Sequence, residues 1–435
     1  MHNMSKRFLM KVIFILLVLI SVSSVASQKP EIYRRYFYVS NRGDDNNSGL
    51  SPQKSWRTLD KVNNFKFSPG DTICFKNGDT WRGQLVPQSG NEQQRIKYTQ
   101  YGGASQKPQI LGSIEKSKRD DWELTFKNIW STAADQKDIG NIIFNHSLCG
   151  VKVWKLKDLK KQNQFYYDRM SYRLYLYSEQ NPASKYSSIE CAVRKTIINQ
   201  TNKRYIEYDG LSIKYGAAHG FGGGSVAYIT IENCDVSYIG GGNIHEDERQ
   251  ERFGNGIEFW GEAHDNLVKG CNIWEVYDAA LTNQSSGQKV KQNNIVYIDN
   301  KVWNCEYSFE YFNFPSNSSS SDIYFINNSC KNAGAGWGHN QRPDPSGRHI
   351  CLLSNEAYVK YLVIKGNTFD GAEQAIILVG KKFKGINGLI FSNNKYAQNG
   401  RKIFVLWGDE KYFPEDYKRF VADKKQDKGS SLKIS

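Results

Sequence analysis

The second half of the chain repeats a short unit, and this repeat constrains the possible folds more than any other feature. The step is 28 residues from Asn272 to Asn300 and from Asn300 to Asn328, and 27 from Asn367 to Asn394. Each unit contains an alternating apolar run that ends in an Asn, Asp or Gly corner: YIEYDG (205–210), YITIENC (228–234), LVKGCN (267–272), VYIDN (296–300), YFINN (324–328), LVIKGN (362–367) and LIFSNN (389–394). Short strands with fixed corners and no helical period predict the coils of a solenoid.

A second short strand follows each corner. These strands are GIEFWG (256–261), AALTN (279–283), SFEYFN (308–313), HICLLS (349–354), AIILVG (375–380) and IFVLWG (403–408). Asn suits the corners because it tolerates left-handed backbone and its amide can bond to the coil above. The pattern predicts a parallel β-helix of about seven rungs, which fits the constant spacing better than a β-sandwich does.

Two insertions leave the same edge of the predicted solenoid. The step from Asn328 to Asn367 is 39 residues, and the excess is the loop GWGHNQRPDPSGRH (336–349). The segment NIHEDERQERFGN (243–255) lies at the equivalent place three rungs earlier. Both are rich in His, Arg and acids, which predicts the walls of a groove. Residues 245–248 (HEDE) suggest a metal cluster, although a solvated charge run is the preferred interpretation.

Alternation along the second strands predicts which side chains face outward. With apolar side chains such as Ile257 and Phe309 facing the core, the outward column reads Glu258, Leu281, Glu310, Cys351, Ile377 and Val405. Two glutamates two coils apart have backbones ~9–10 Å apart, and the carboxyl groups of inverting glycosidases lie ~6.5–9.5 Å apart. Apolar neighbours would keep one carboxyl group protonated as an acid while the other acts as a base. The order of the two roles stays open, and two merely exposed glutamates are the alternative.

The residues around this column suit a sugar site. The candidate catalytic residues are Glu258, Glu310, Asp278 and His349. The candidate substrate-binding residues are Trp260, Asn283, Asn313, Trp337, His339, Arg342 and Arg348. Tryptophan rings would stack on sugars, while the arginines and His339 would hold an anionic substituent such as a carboxylate or sulfate.

The N-terminus predicts export. Lys6, Arg7 and Lys11 precede the apolar run 12–20, and small residues follow up to Ala26 and Ser27, a pattern typical of a cleaved secretory signal at 1–27. That run is too short to span a bilayer. Periplasm and medium are both compatible with it. Three of the +14 formal charges lie in this leader, so the mature chain carries +11. This charge and the export favour an anionic glycan over nucleic acid as a partner.

Eight cysteines without a CxxC pair, in a chain long enough to bury its own core, predict free, buried thiols rather than disulfides.

The segment 37–85, which begins FYVSNRGDDNNSG and contains SWRTLDKVNN and PGDTICFKNGDTW, resembles the opening of exported bacterial right-handed parallel β-helix proteins. That group includes polysaccharide lyases and glycoside hydrolases. A short helix is expected near Thr58 to Val62. Residues 128–194 resemble a small β module inserted between early coils of the glycosidase-type members. The predicted organisation is a cap with the first coils at 28–112, an inserted β module at 113–203, the β-helix with its groove at 204–410, and a tail at 411–435 whose end (424–435) is frayed.

These observations favour an exported, monomeric enzyme that degrades a polysaccharide or oligosaccharide. The first hypothesis is an inverting glycoside hydrolase that needs no cofactor. The second is a polysaccharide lyase, or a C5-epimerase, acting on a uronate-containing glycan. The resemblance then implies Ca²⁺, for which Glu258, Glu310 and Asp278 are the candidate ligands, with Arg342 or Arg348 as the basic partner. The third is a non-catalytic glycan-binding solenoid.

Overall fold

Three columns of short parallel strands, which we call faces 1, 2 and 3, surround a common apolar core. The computed structural model describes residues 34–247, 249–353 and 356–434, so the predicted signal at 1–27 lies outside them. In each coil the chain passes from face 1 to face 2 and then to face 3. Strands of successive coils pair in parallel register, as Ile273 does with Val302 and Val302 with Cys330. The predicted all-β, right-handed parallel β-helix with an inserted β module is confirmed.

The strand bounds follow the three faces. Face 1 comprises Tyr36–Val39, Thr72–Lys76, Ile96–Tyr101, Arg204–Asp209, Gly224–Glu232, Lys291–Ile298, Ser319–Ile326, Tyr358–Lys365 and Leu389–Ser392. Face 2 comprises Thr80–Arg82, Gln109–Leu111, Ser212–Gly216, Asp235–Ile239, Asn272–Val276, Lys301–Trp303, Ser329–Ala333, Thr368–Ala372, Lys395–Gln398 and Ser431–Ile434. Face 3 comprises Ile198–Asn199, Phe221–Gly222, Ala279–Ser285, Tyr307–Asn313, Arg348–Leu352, Ala375–Val379 and Ile403–Trp407, and the antiparallel Glu410–Tyr412 follows. The long strand Ile257–Lys269 belongs first to face 3 and then to face 1.

An asparagine ladder closes the corner between faces 1 and 2. The backbone N–H and side-chain amide of Asn300 donate to Asn328 Oδ1 at 2.9 and 3.0 Å, and Asn328 donates in the same way to Asn367 at 2.8 and 3.1 Å. Asn367 continues the ladder to Asn394. The predicted bonding of corner amides between coils is therefore confirmed. Asn272 does not extend the ladder, because it pairs in register with Lys301 and not with Asn300. The residue before it, Cys271, donates its backbone N–H to Asn300 Oδ1 instead.

The inserted module forms a sheet of its own. Its strands are Val151–Lys152, Gln164–Asp168, Arg173–Tyr177, Ile129–Ala133 and Glu123–Phe126, in that spatial order. Three further strands join the module to face 2, namely Ser113–Glu115, Ile139–Phe144 and Ile189–Val193, and Leu148–Cys149 pairs with the second of them. The module buries a second apolar cluster around Phe165 and Leu176. It therefore packs as a unit that leaves the solenoid after face 2 and returns before face 3.

The helices are short. The α-helices are Leu59–Asn64, Pro182–Lys185 and Tyr417–Lys424, and the 3-10 helices are Pro52–Lys54, Arg119–Asp121, Leu156–Asp158, His339–Gln341, Ile386–Gly388 and Pro414–Asp416. The helix expected near Thr58 is confirmed, and the Thr58 hydroxyl caps it by accepting from Lys61 N at 3.1 Å. Over the described ranges, no helix is long and apolar enough to cross a membrane.

The C-terminal segment corrects one expectation. Residues 424–435 were expected to fray, but Ser431–Ile434 pairs in parallel with Lys395–Gln398 as the last strand of face 2. Before it, Tyr417–Lys424 buries Phe420 over the end of the core. The segment therefore caps the solenoid. All eight cysteines are free, and all except the half-buried Cys149 are buried, as predicted.

Candidate functional site

The outer side of face 3 carries a column of residues in direct register. Strand pairing aligns them in the order Glu258, Thr282, Glu310, Cys351, Leu378 and Leu406. The predicted outward positions of Glu258 and Glu310, two coils apart, are confirmed. Leu281, Ile377 and Val405 were predicted to share this column, but they align with one another on the core side. For Ile377 and Val405 the error arose because the outward positions in the later coils, Leu378 and Leu406, are also apolar, so hydrophobicity does not distinguish the two sides of these strands.

Glu310 is buried beside other polar groups. Its side chain accepts a hydrogen bond from the Gln284 amide, and the residue is only 6% exposed. Burial raises the pKa of the Glu310 carboxyl group well above its ordinary value, and the charges of Asp278 and Glu258 add to this effect, while Arg342 opposes it. Glu310 is therefore favoured in its protonated form, which is the form a general acid requires.

Glu258 has a different set of partners. Its Oε2 accepts from Asn255 Nδ2 at 2.7 Å and lies 3.5 Å from His219 Nδ1. The backbone N–H of Asn255 donates to the same His219 nitrogen at 3.2 Å, and Asn255 Oδ1 accepts from Ala279 N at 3.0 Å. This network fixes the Glu258 carboxylate. His219 and Asn255 were not predicted from the sequence, because neither lies on a strand of the recognised repeat.

The loop 336–347 is anchored by Glu306. Glu306 Oε1 accepts from the backbone N–H groups of Ser346 at 2.7 Å and Gly347 at 2.9 Å, and His339 Nδ1 lies 2.9 Å from Oε2. Burial alone would raise the pKa of Glu306, but these donors and Arg342 hold it below its ordinary value. The charged carboxylate therefore acts as the anchor of the loop.

Trp337 and His339 hold this loop in place. The Trp337 backbone and indole N–H groups donate to Glu275, at 2.9 Å to Oε2 and 3.0 Å to the carbonyl oxygen, and its ring contacts Tyr277 and Arg252. His339 is bound to Glu306. Neither residue lines the cleft beside Glu310, although both were predicted to bind substrate.

Asp278, Glu310, Arg342 and Arg348 come together in one cleft of about 450 Å³, which we call the Glu310 cleft. Arg342 donates to Tyr277 O at 2.8 Å and Asp278 Oδ1 at 3.3 Å. Burial raises the pKa of Asp278, and the arginine partly offsets this. The insertion thus forms a wall of a groove beside Glu310, as the sequence predicted.

Arg348 has few partners within its protein environment. Its Nε donates to Gln374 Oε1 at 2.6 Å, and one terminal nitrogen lies 3.8 Å from the Cys351 sulfur. Throughout the described ranges, no carboxylate comes within ion-pair distance of it. Arg348 therefore presents a guanidinium group to the Glu310 cleft one coil beyond Glu310.

Three predicted site residues lie inside the solenoid instead. Asn283, Asn313 and His349 are each 0% exposed. Asn283 donates to Gln292 Oε1 at 3.0 Å, and Asn313 donates to Ser320 Oγ at 3.1 Å. His349 bonds to Ser308 Oγ and the Gly371 carbonyl, and burial lowers its pKa to about 4. The prediction that they flank the groove is wrong, because their strands turn these side chains toward the core.

Trp260 remains on the outer side of face 3. It is 37% exposed, and its ring meets Phe312 edge to face at 6.2 Å, while Phe312 stacks on Phe314 at 4.5 Å. Trp260 lies two residues beyond Glu258 and Phe312 two residues beyond Glu310. The three rings therefore form an aromatic strip beside the glutamate column, on the side where the sequence placed Trp260.

Described charged side chains of the insertion 243–255 are paired with one another or with neighbouring residues. Glu246 pairs with Arg194 at 2.6 Å and Lys137 at 3.3 Å, and His245 pairs with Glu251 at 2.8 Å. Glu248, part of the suggested metal cluster, lies outside the described residues. Within 34–247, 249–353 and 356–434, no three His, Cys, Asp or Glu side chains are grouped so that they could hold a metal ion. Glu258, Asp278 and Glu310 are accordingly not grouped as three ligands of one ion.

Structural neighbours of the chain include glycoside hydrolases and polysaccharide lyases, the two classes named by the resemblance in the sequence. A protein titled "Glycoside hydrolase" has a TM-score of 0.48 and 9% identity, covering 92% of this chain and 96% of its own. Pectate lyase Pel9A has a TM-score of 0.47 and 12% identity, covering 93% of this chain and 78% of its own. The GH136 lacto-N-biosidase from Eubacterium ramulus has a TM-score of 0.40 and 12% identity, covering 92% of this chain and 68% of its own. No family model and no curated protein matches the chain.

Proposed function

We propose that the protein is an exported enzyme that degrades a polysaccharide, and that it is a glycoside hydrolase of inverting type. The observation that carries the proposal is the outer column shared by Glu258 and Glu310, two coils apart, with Glu310 lining its cleft. Their backbones are separated by ~9–10 Å. This spacing suits a pair of carboxyl groups with a water molecule between the base and the sugar.

The raised pKa of Glu310 assigns the roles of general acid and general base to the two glutamates. Glu310, whose pKa is raised, is the general acid that protonates the glycosidic oxygen as the bond to the anomeric carbon breaks. Glu258, held by Asn255, is the base that takes a proton from the attacking water. One water is consumed, and the anomeric carbon inverts. Restoring the proton to Glu310 and releasing it from Glu258 completes the cycle.

Thr282 supports this assignment. It lies between the two glutamates in the column, and its buried hydroxyl has no hydrogen-bond partner among the residues that the structure describes. Buried hydroxyl groups are normally satisfied by protein or ordered water. In the proposed mechanism the Thr282 hydroxyl helps to position the attacking water.

A polysaccharide lyase, or a C5-epimerase, is the second candidate. It is favoured by Arg348, whose guanidinium group has no carboxylate partner in the described part of the chain and is available for a uronate carboxylate. Such an enzyme needs a base for the proton beside that carboxylate and a cation to stabilise the enolate. Arg342 and Arg348 would share these tasks, and no step is assigned to calcium.

The test is product analysis on acidic and neutral polysaccharides with three variants. Glu310→Gln and Glu258→Gln each remove one proposed role, whereas Glu262→Gln changes an exposed glutamate on the same strand as Glu258. We expect the wild-type protein to produce reducing ends without the ultraviolet absorbance of an unsaturated uronate. Activity should fall by about 10²–10⁴-fold in Glu310→Gln and Glu258→Gln and should stay normal in Glu262→Gln. Product of inverted configuration, detected by NMR, completes the proof.

Other outcomes separate the alternatives. Absorbance from an unsaturated product would establish a lyase, and a change of uronate configuration without cleavage would establish an epimerase. Full activity of both glutamine variants would overturn the assigned roles. Binding without any product across the panel would leave the third hypothesis, a non-catalytic glycan-binding solenoid.

A further inference from the structure

The inserted module and the loop 336–347 enclose a second cleft of about 350 Å³, which we call the Trp154 cleft. Its module side is formed by Val151, Lys152 and Trp154, and its loop side by residues 340–343. Arg342 lines both this cleft and the Glu310 cleft. The two clefts are therefore neighbours on either side of one short loop segment.

The walls of the Trp154 cleft are fixed to each other. Gln341 Oε1 accepts from the backbone N–H of Lys152 at 3.2 Å and from Arg252 at 3.1 Å, and its amide donates to Gly150 O at 2.9 Å. Lys152 is in turn held by both carboxylate oxygens of Asp138 and by the Ile139 carbonyl. The cleft is thus preformed, which is usual for ligand-binding sites.

Trp154 gives this cleft an aromatic surface. The indole ring is half-buried and lies 5.1 Å from Lys152 Nζ, measured to the ring centroid. Its N–H makes no hydrogen bond to any residue that the structure describes. Buried tryptophans elsewhere in the chain, such as Trp56 and Trp81, donate to backbone carbonyls. Trp154 therefore offers both a ring face and an unused donor.

Two amides complete the lining. The side chains of Gln250 and Asn340 are exposed and have no hydrogen-bond partner within 34–247, 249–353 and 356–434. Together with Arg342 they surround the indole with donors and acceptors. Sites that recognise sugars need this combination of an apolar ring and a few polar groups with free hydrogen-bonding capacity.

We propose that the Trp154 cleft is a sugar-binding subsite, in which Trp154 stacks on one unit of the polysaccharide whose neighbouring units occupy the Glu310 cleft. The inference rests on the proposed function for the identity of the ligand, a glycan chain. It gives the inserted module a role in holding substrate remote from the bond that breaks. Arg342, which lines both clefts, marks where the chain passes from one to the other.

The experiment is affinity electrophoresis in native gels that contain polygalacturonate, alginate or xylan. All variants carry Glu310→Gln, which prevents degradation of the embedded polymer. Trp154→Ala is compared with Phe126→Ala, which removes an exposed aromatic ring on the same module sheet that lines neither cleft. Equal mobility in polymer-free gels checks that the variants are folded.

We expect at least one polymer to retard the parent and Phe126→Ala equally, and Trp154→Ala to bind it about tenfold more weakly. In the active enzyme, Trp154→Ala should raise KM for polymer while leaving kcat unchanged, as expected for a uniform binding contact. Equal retardation of Trp154→Ala, or no retardation of the parent by any polymer, would overturn the subsite. If retardation depends on Trp154 but the wild-type protein, with Glu310 intact, forms no product from the same polymer, only the proposed hydrolysis is overturned and the subsite stands.

Discussion

Glu310 and Asp278 line the same cleft, and the charge of Asp278 adds to burial in raising the pKa of the Glu310 carboxyl group well above its ordinary value. Arg342, which bonds to Asp278, acts on Glu310 in the opposite direction. The protonation of the proposed acid is therefore controlled by its neighbours as well as by burial. This arrangement has consequences for both rate and stability.

The first prediction concerns the pH dependence of the rate. Asp278→Asn removes a negative charge near Glu310 and frees Arg342 from its partner, and both changes lower the pKa of Glu310. The alkaline limb of kcat/KM should therefore move to lower pH. A pH profile of the variant against wild type measures this shift, and Glu262→Gln, which changes an exposed acid on the strand of Glu258, serves as control. A limb that stays in place in Asp278→Asn would contradict the assignment of Glu310 as the acid.

The second prediction concerns stability. Because the pKa of Glu310 is raised in the folded protein, the folded state holds a proton that the unfolded chain releases above pH ~4.3. Wild-type stability therefore declines as pH rises from that value toward the folded-state pKa. Glu310→Gln is never ionised, so its free energy of unfolding relative to wild type should grow over the same range.

Urea unfolding at several pH values measures this difference. The contrast between Glu310→Gln and wild type should be greatest at neutral pH and should shrink as the pH approaches ~4.3. Glu262→Gln, which is exposed, should show no such trend. A difference that is independent of pH would mean that Glu310 ionises normally in the folded protein.

The sequence predicted the fold well because the repeat is local. Corner asparagines such as Asn300 recur with apolar strands at nearly constant spacing. Alternation of residues along the second strands was sufficient to predict that Glu258 and Glu310 face outward. The register between coils depends on turn lengths that the sequence does not reveal. For that reason Leu281 was placed where Thr282 lies, and His349 was placed on the surface.

The remaining parts of the site depend on contacts between segments distant in sequence. Asn255 reaches Glu258 from a turn of the same coil, but His219 comes from the preceding coil. Trp154 meets the loop around Gln341 only because the inserted module folds back beside it. No local pattern marks such residues, whereas the tryptophan inside the loop, Trp337, was conspicuous in the sequence and is committed to Glu275.

The third prediction concerns His349. Its pKa is about 4 in the folded protein and ~6.5 in the unfolded chain, so the unfolded state gains a proton first as pH falls. Folding stability should decline from pH ~6.5 down to about 4, by up to about 3 kcal/mol from this group. His349→Gln should flatten this part of the pH profile of unfolding, although its stability at neutral pH falls because packing is disturbed.

The matched control is His146→Gln, which alters an exposed histidine and should keep the wild-type slope. Unchanged slope in His349→Gln would show that the buried ring is protonated in the folded state. Activity gives a second check, since a residue inside the solenoid should affect kcat only in proportion to the folded fraction.

The last prediction concerns Glu306 and the loop that walls the Glu310 cleft. Glu306→Gln keeps the shape of the side chain but removes the charge that accepts from Ser346, Gly347 and His339. Hydrogen bonds to a charged group contribute about 1.5–3 kcal/mol, so the variant should lose stability of that order at neutral pH. The pKa of Glu306 is lowered in the folded protein, so the extra stability of wild type over Glu306→Gln should be complete above pH ~4.3. It should disappear as pH falls through the pKa of Glu306 in the folded protein.

Two measurements separate the loop from the chemistry. Urea unfolding of Glu306→Gln and wild type at neutral and acid pH measures the charge-dependent stabilisation, with Glu262→Gln as the exposed control. Kinetics at neutral pH should show a raised KM, since Arg342 is positioned by the same loop. A pH-independent loss of stability would mean that Glu306 anchors the loop through its shape alone, without its charge.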